Sequence, residues 1–249
     1  MSIEGIAFFN QIAKKNKWNI DNGRRLSLGF GVYKKTFGDI QKKMEINLND
    51  RVLDIGGGTG KITKYIAQVA KEVELSDGAD SALAVGKSFL EGFTNISFSK
   101  VDVRDRLPFA DNKFNKVLCY SVVHYLKDYG QFKNLIKELI RVTDKNGKIL
   151  IGDIPLLEKY EAYLGRRKLN FWYNFLKNLQ YHFKKYLTDF IYFINGIRES
   201  SVDGMFFTKE EIKNILGKFE GIDYLFFMQD QGLPYATSRE DLFILKKGL

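Results

Sequence analysis

The densest chemical signal in this 249-residue chain is one short stretch, Asp54-Ile55-Gly56-Gly57-Gly58-Thr59-Gly60. Glycine lets a backbone turn sharply and approach a ligand closely at no steric cost. Two phosphate-binding patterns can be tested by counting. A P-loop needs Gly-x-x-x-x-Gly-Lys followed by Ser or Thr. Gly60-Lys61 supplies the Gly-Lys, but Ile55 stands at the first glycine and Ile62 at the hydroxyl position. A dinucleotide loop needs Gly-x-Gly-x-x-Gly. Starting at Gly56 the third glycine falls on Lys61, and starting at Gly58 it falls on Thr63. Both patterns fail. What remains is an acid followed by Gly-x-Gly-x-Gly, that is, Asp54 with Gly56, Gly58 and Gly60.

Other residues able to do chemistry follow at intervals. Asp77 lies 17 residues after Gly60, close to the spacing of the acid that reads a ribose in dinucleotide folds. Two histidines occur, His124 and His182. Imidazole is a common general base near neutral pH. His124 and Asp153 are the candidates for base or orienting work. The lone Cys119 excludes an internal disulfide framework and a cysteine-rich metal site. No metal ligand set is read here.

These residues need elements to hold them. Residues 51–55 read as a short buried strand, and 61–70 as a helix with Ile62, Tyr65, Ile66 and Val69 on one face. Strands follow at 72–75, 96–100, 116–120 and 148–152, the last after a turn at Asn146-Gly147. A helix capped by Asp80 spans 81–90, and another spans 129–142. Thr208-Lys209-Glu210-Glu211 matches a capping box, and two closing strands lie at 224–228 and 241–246. Short apolar strands alternating with helices predict a parallel sheet covered on both faces. Ligands bind such sheets beyond the carboxyl ends of the strands, where every candidate residue falls.

Together, Val52-Leu53-Asp54-Ile55-Gly56-Gly57-Gly58-Thr59-Gly60, Leu75-Ser76-Asp77, Asp102-Val103 and the stretch 107–118 resemble the class I S-adenosylmethionine-dependent methyltransferases. The resemblance covers residues 50–155 well and 206–249 loosely. Asn115 departs from it, because many members carry Asp there. The resemblance implies a Rossmann-like, doubly wound, mostly parallel seven-stranded α/β sheet with an antiparallel final strand. It implies S-adenosyl-L-methionine as cofactor. That ligand has a methionine tail and no pyrophosphate, so Asp54 would sit beside its ammonium. Asp77 would accept from both ribose hydroxyls. Asp102 would meet the adenine amino group, in preference to Asp105, with Val103 against the ring. Tyr120 and Ser121 would line the pocket between cofactor and methyl acceptor.

Three segments are expected: an N-terminal helical segment at 1–45 near the acceptor site, a core at 46–155 and 206–249, and a helical cap insertion at 156–205. The insertion is aromatic and basic, from Tyr160 to Phe190 with Arg166, Arg167, Lys168, Lys177, Lys184 and Lys185 among the rings. It reads as an amphipathic cap that would close over a small-molecule acceptor and keep water out. RNA binding and membrane-surface docking are the rival uses. A cofactor-binding or regulatory subunit without turnover is a further alternative. The chain carries 39 basic and 30 acidic residues, a net +9, yet no dense basic block. No signal peptide is read at the start, and no uncharged apolar run approaches the roughly 18 residues of a spanning helix. A cytoplasmic protein is the expectation.

Overall fold

The computed structural model describes residues 3–15, 31–160 and 204–248. The expected cap lies mostly at 161–203, outside the described residues, and so does His182. One seven-stranded sheet organises the rest. Its strands are β1 (Arg51–Ile55), β2 (Glu72–Asp77), β3 (Ile96–Lys100), β4 (Phe114–Tyr120), β5 (Thr143–Pro155), β6 (Ile222–Met228) and β7 (Arg239–Lys246). The spatial order is β3-β2-β1-β4-β5-β7-β6. The first five strands run parallel, and β7 enters antiparallel between β5 and β6.

The helices are α1 (Ile3–Lys15), α2 (Val32–Met44), α3 (Thr63–Ala67), α4 (Asp80–Phe89), α5 (Tyr129–Val142) and α6 (Lys209–Leu216). A sheet covered on both faces needs strands that are apolar on both sides. β1 and β4 meet this, with Val52, Leu53, Ile55, Val117, Leu118 and Cys119 fully buried. Leu53, Ile55, Val117, Ile149 and Ile151 join the core under α5, which contributes Phe132, Leu135, Ile136 and Leu139. Their alternate neighbours Val52, Leu118 and Leu150 pack with Ile40 and Met44 of α2 and Ile66 of α3.

Several expected boundaries move, each for a physical reason. The helix expected at 61–70 contracts to Thr63–Ala67, and its N-cap, Ile62, offers no side-chain acceptor. Asp80 does not cap α4. The N-cap is Ala79, whose N–H donates to Asp77 Oδ1 at 2.8 Å. Asp80 instead pairs with Lys100 at the surface, 2.6 Å away. The strand expected at 148–152 extends over Thr143–Pro155. Asn146 takes a left-handed conformation, φ 59°, but inside that strand's span, where the ladder to β4 slips. At Thr208 only part of the capping box forms. Its hydroxyl oxygen accepts from Glu211 N–H at 3.2 Å, while its own N–H turns to the Tyr129 hydroxyl.

α1 lies beside the carboxyl edge. Ser81 N–H donates to Asn10 Oδ1 at 3.0 Å. Phe9 meets Tyr125 edge to face at 5.3 Å. A Cβ added to Gly78 would come within 3.2 Å of Ile6 Cδ1, so α1 seats directly on the turn after Asp77. Among the described residues, no helix is long and apolar enough to cross a membrane.

Phe132 is fully buried and its ring lies 4.9 Å from that of Phe207. Phe132→Ala leaves a large cavity between α5 and the sheet. It should lower unfolding free energy by about 3–5 kcal/mol, read as a drop in urea midpoint at unchanged slope.

Candidate active site

The end of β1 delivers Asp54 into the interior, where only 3% of the residue is exposed. Thr63 Oγ1, at the start of α3, donates to Asp54 Oδ2 at 2.6 Å. Burial pushes the carboxyl up to about 6; the Thr63 hydrogen bond opposes this and the nearby Asp77 charge adds to it. The loop then turns through Gly56, Gly58 and Gly60, all at positive φ. Gly57, a free position in the Gly-x-Gly-x-Gly pattern, is constrained as well. A Cβ there would fall 2.8 Å from Asp54 Oδ2 and 3.2 Å from Leu75 Cγ. Sequence reasoning missed it, because only packing against Asp54 reveals it. Gly58 faces open space, with no atom within 4 Å of an added Cβ.

Asp77, at the tip of β2, is 6% exposed. Its Oδ2 accepts from Gly58 N–H at 3.0 Å and its Oδ1 from Ala79 N–H at 2.8 Å. Burial raises its carboxyl above the ordinary range despite these bonds. Among the described residues, neither Asp54 nor Asp77 has a cationic partner. The two acids therefore flank a glycine loop as buried, uncompensated charge. Beyond β3, Asp102 is held by Arg104, whose Nε and backbone N–H reach Oδ1 at 2.8 and 3.0 Å and whose second guanidinium nitrogen reaches Oδ2. These bonds hold its carboxyl below the usual range. Val103 is buried beside it, whereas Asp105 is exposed.

β4 and β5 supply the other half of the site. The Tyr120 ring lies flat across Gly152, where an added Cβ would come 2.1 Å from Tyr120 Cδ2. Ser121, just after β4, and Asp153, within β5 one step past its last pairing with β4, both have left-handed backbones, φ 59° and 64°. The Ser121 hydroxyl donates to Asp153 Oδ2. Arg239 Nη1 reaches the same oxygen at 2.6 Å. His124 sits in the single 3-10 turn Val123–Tyr125, half-buried, its ring 4.0 Å from that of Tyr125.

Behind these residues runs a buried ionic chain. Asp241 Oδ1 accepts from Asp153 N–H at 2.8 Å and from Gln229 Nε2 at 2.9 Å. Asp241 Oδ2 lies 2.7 Å from Lys43 Nζ, which also reaches Asp39 Oδ2 at 2.5 Å. Burial raises the Asp241 carboxyl, with Lys43 opposing. Gln229 Nε2 also donates to the Tyr120 hydroxyl at 3.0 Å. Lys43, Gln229, Arg239 and Asp241 were not legible as site residues. They come from α2, the end of β6 and the start of β7, and no local spacing links them.

The fold and the acid-anchored glycine loop define a class: an open α/β protein with two buried acids, Asp54 and Asp77, on a glycine loop at the tips of β1 and β2. The comparisons with known proteins agree. Residues 52–147 match a family model described as a methyltransferase domain. A ubiquinone/menaquinone biosynthesis C-methyltransferase UbiE from Ectopseudomonas mendocina is 34% identical over 126 residues, covering 46% of this chain and 48% of that protein. The enzyme of the same name from Photorhabdus laumondii is 28% identical over 153 residues, 55% and 57% of the two chains. The chain thus spans about half the length of the curated relatives it matches. Among solved structures, a putative methyltransferase of Haloferax volcanii in complex with the activator Trm112 aligns with TM-score 0.64 at 14% identity over 97% of this chain and 98% of that one. A putative S-adenosyl-L-methionine-dependent methyltransferase from Methanococcus maripaludis aligns at 0.60 and 16%, over 99% and 94%. These likenesses show the shared fold. Over residues 52–147 the chain is similar to a methyltransferase domain, and its fold is that of these solved structures.

The raised Asp54 carboxyl makes stability depend on pH. Between 3.8 and about 6 the folded protein keeps a proton that the unfolded chain has released. Stability from this group is therefore fully present below the unfolded value and is lost as pH rises through 6. The loss amounts to about 3 kcal/mol for a shift of this size. Asp54→Asn should consequently raise the urea midpoint of the ligand-free protein at pH 8, with the advantage shrinking to nothing near pH 4. Equal midpoints at both pH values would contradict the assignment.

Proposed function

We propose that this protein transfers a methyl group from S-adenosylmethionine to a small-molecule acceptor. The observation that carries the reading is the pair of buried acids, Asp54 and Asp77, on either side of a glycine loop with no cation between them. A ligand that brings an ammonium and two hydroxyl donors meets their needs. Asp54 would face the ammonium of the methionine tail. Each Asp77 oxygen takes one backbone N–H and keeps a lone pair for a ribose hydroxyl. Asp102 would share its carboxylate between Arg104 and the adenine amino group, with Val103 against the ring. Gly56, Gly58 and Gly60 would let the backbone approach closely, and Tyr120 and Ser121 would border the acceptor.

When bound, the sulfonium supplies an electrophilic methyl carbon. The chain's own residues then have to align an acceptor and exclude water. Asp153 is tied to Arg239 and Ser121, an arrangement that suits orienting the acceptor more than carrying a proton away. His124, at the β4 exit beside Tyr125, is the candidate base where the acceptor needs one. The relatives named as C-methyltransferases favour a small organic acceptor, although this chain spans only half of each. The argument for RNA rested on the basic aromatic insertion, which lies outside the described residues.

Calorimetry with S-adenosylmethionine and with NAD tests the reading. S-adenosylmethionine should bind and NAD should not. Asp77→Ala should weaken binding at least tenfold, about 1.4 kcal/mol. Tight NAD binding without a response to S-adenosylmethionine would overturn the proposal.

A further inference from the structure

The two acids of the glycine loop differ in how far the protein itself completes them. Each oxygen of Asp77 takes one backbone N–H, from Ala79 and from Gly58. Asp54 has one side-chain donor, the Thr63 hydroxyl, on Oδ2 at 2.6 Å. Among the described residues no donor reaches Oδ1, and that oxygen is not sealed from solvent. Half of the carboxyl is thus held by the fold and half is left to what enters the crevice.

The described groups that face Asp54 bring it no positive charge. From β2 comes Asp77, a second acid. From β4 comes Cys119, a buried thiol that its burial, and then the Asp54 charge, hold protonated. From α3 comes the neutral Thr63 hydroxyl. The two lysines on either side of that residue, Lys61 and Lys64, lie over the Phe89 ring at 4.0 and 5.4 Å. A carboxyl taken out of water without a counter-charge keeps its proton more tightly. Burial pushes Asp54 up to about 6, so near pH 5.5 the ligand-free protein carries a proton there. An ammonium set against Oδ1 supplies the missing charge and favours the carboxylate. The proton then passes from Asp54 to the solvent, and the ammonium keeps all of its own.

We propose that Asp54 is a proton-exchange site: the loop takes up a nucleoside bearing an amino-acid tail by releasing one proton from Asp54, and takes up a tail-less nucleoside without that release. The identity of the ligand rests on the methyl-transfer reading above. Affinity for the tail-bearing ligand falls as pH drops below 6, approaching about tenfold per pH unit. A tail-less nucleoside keeps only the dependence set by Asp77, which both ligands share through the ribose.

Two probes differ in the tail: S-adenosylhomocysteine and methylthioadenosine. Each is titrated calorimetrically into the full-length protein in pairs of buffers with different ionisation heats, acetate and Mes at pH 5.5, phosphate and Tris at pH 8. The difference in heat within a pair counts the protons released. At pH 5.5 S-adenosylhomocysteine should release roughly three-quarters of a proton more than methylthioadenosine, and at pH 8 no more than it does. Equal release by the two at pH 5.5 overturns the proposal. Thr63→Val removes the donor that favours the charged carboxyl, so the excess should persist at pH 7, where that of the wild type has nearly gone. An excess confined to the wild-type pH range overturns the proposal as well. The wild-type comparison stands without the variant, should the variant not fold. If both nucleosides bind with equal release, this inference alone falls. If neither binds at either pH, the methyl-transfer reading falls and this inference with it.

Discussion

Burying a carboxylate without a cation is the constraint around which this structure is arranged. Asp54 and Asp77 sit at adjacent strand ends, 3% and 6% exposed, and burial raises both. A charged group taken from water costs several kcal/mol unless it is paired or hydrogen-bonded. The loop meets part of that cost. Thr63 serves Asp54, and the N–H groups of Gly58 and Ala79 serve Asp77. The glycines follow from this as much as from any ligand. Gly57 must lack a Cβ because the Asp54 carboxylate occupies that space, and Gly58 can donate to Asp77 only in the left-handed turn it adopts. The loop is thus folded around its acids.

The other half of the crevice follows the opposite logic. Three carboxylates, Asp39, Asp153 and Asp241, meet two cations, Lys43 and Arg239, in ion pairs, and Asp241 also accepts the Asp153 N–H. Such a cluster closes on itself. Its carboxylates are held inside the fold by these cations and by the backbone N–H of Asp153. One side of the crevice therefore buries its acids without a cation, and the other pairs them with Lys43 and Arg239. The Tyr120 ring, laid flat over Gly152, stands between them.

The sequence made the first half legible and the second half obscure, for a physical reason. The β1 loop and the strand-end acids are read from contiguous residues, because strand, glycine turn and acid must be close along the chain to be close in space. The parallel core was equally readable, since strands buried on both faces are short apolar runs. The ionic chain draws on α2, β5, β6 and β7, and each member alone looks ordinary. Lys43 reads as a solvated helix lysine, and Asp241 as a polar strand end. Even within one turn the start of α4 was decided by tertiary geometry, with Ala79 as N-cap and Asp80 paired with Lys100. Asp80 has the position for the role, but Asp77 already points its free oxygen at the Ala79 N–H.

The backbone at Ser121 and Asp153 shows why the ionic chain is placed where it is. Non-glycine residues at positive φ are strained by roughly 1–3 kcal/mol each and persist only where their surroundings hold them. Here two such residues lie just past the last pairing of β4 with β5 and bond to each other. Ser121 N–H donates to Gly152 O at 3.1 Å, and Asp153 N–H donates to Asp241. The ladder between β5 and β7 breaks between Ile151 and Ile154, at the very residue being turned. Asp241 can hold that N–H only as a carboxylate fixed in place, and Lys43 from α2 is what fixes it. A helix on one face of the sheet thereby sets the direction of a side chain at its edge. Lys43 and Asp241 thereby meet β5 where its ladder to β7 is interrupted at Asp153.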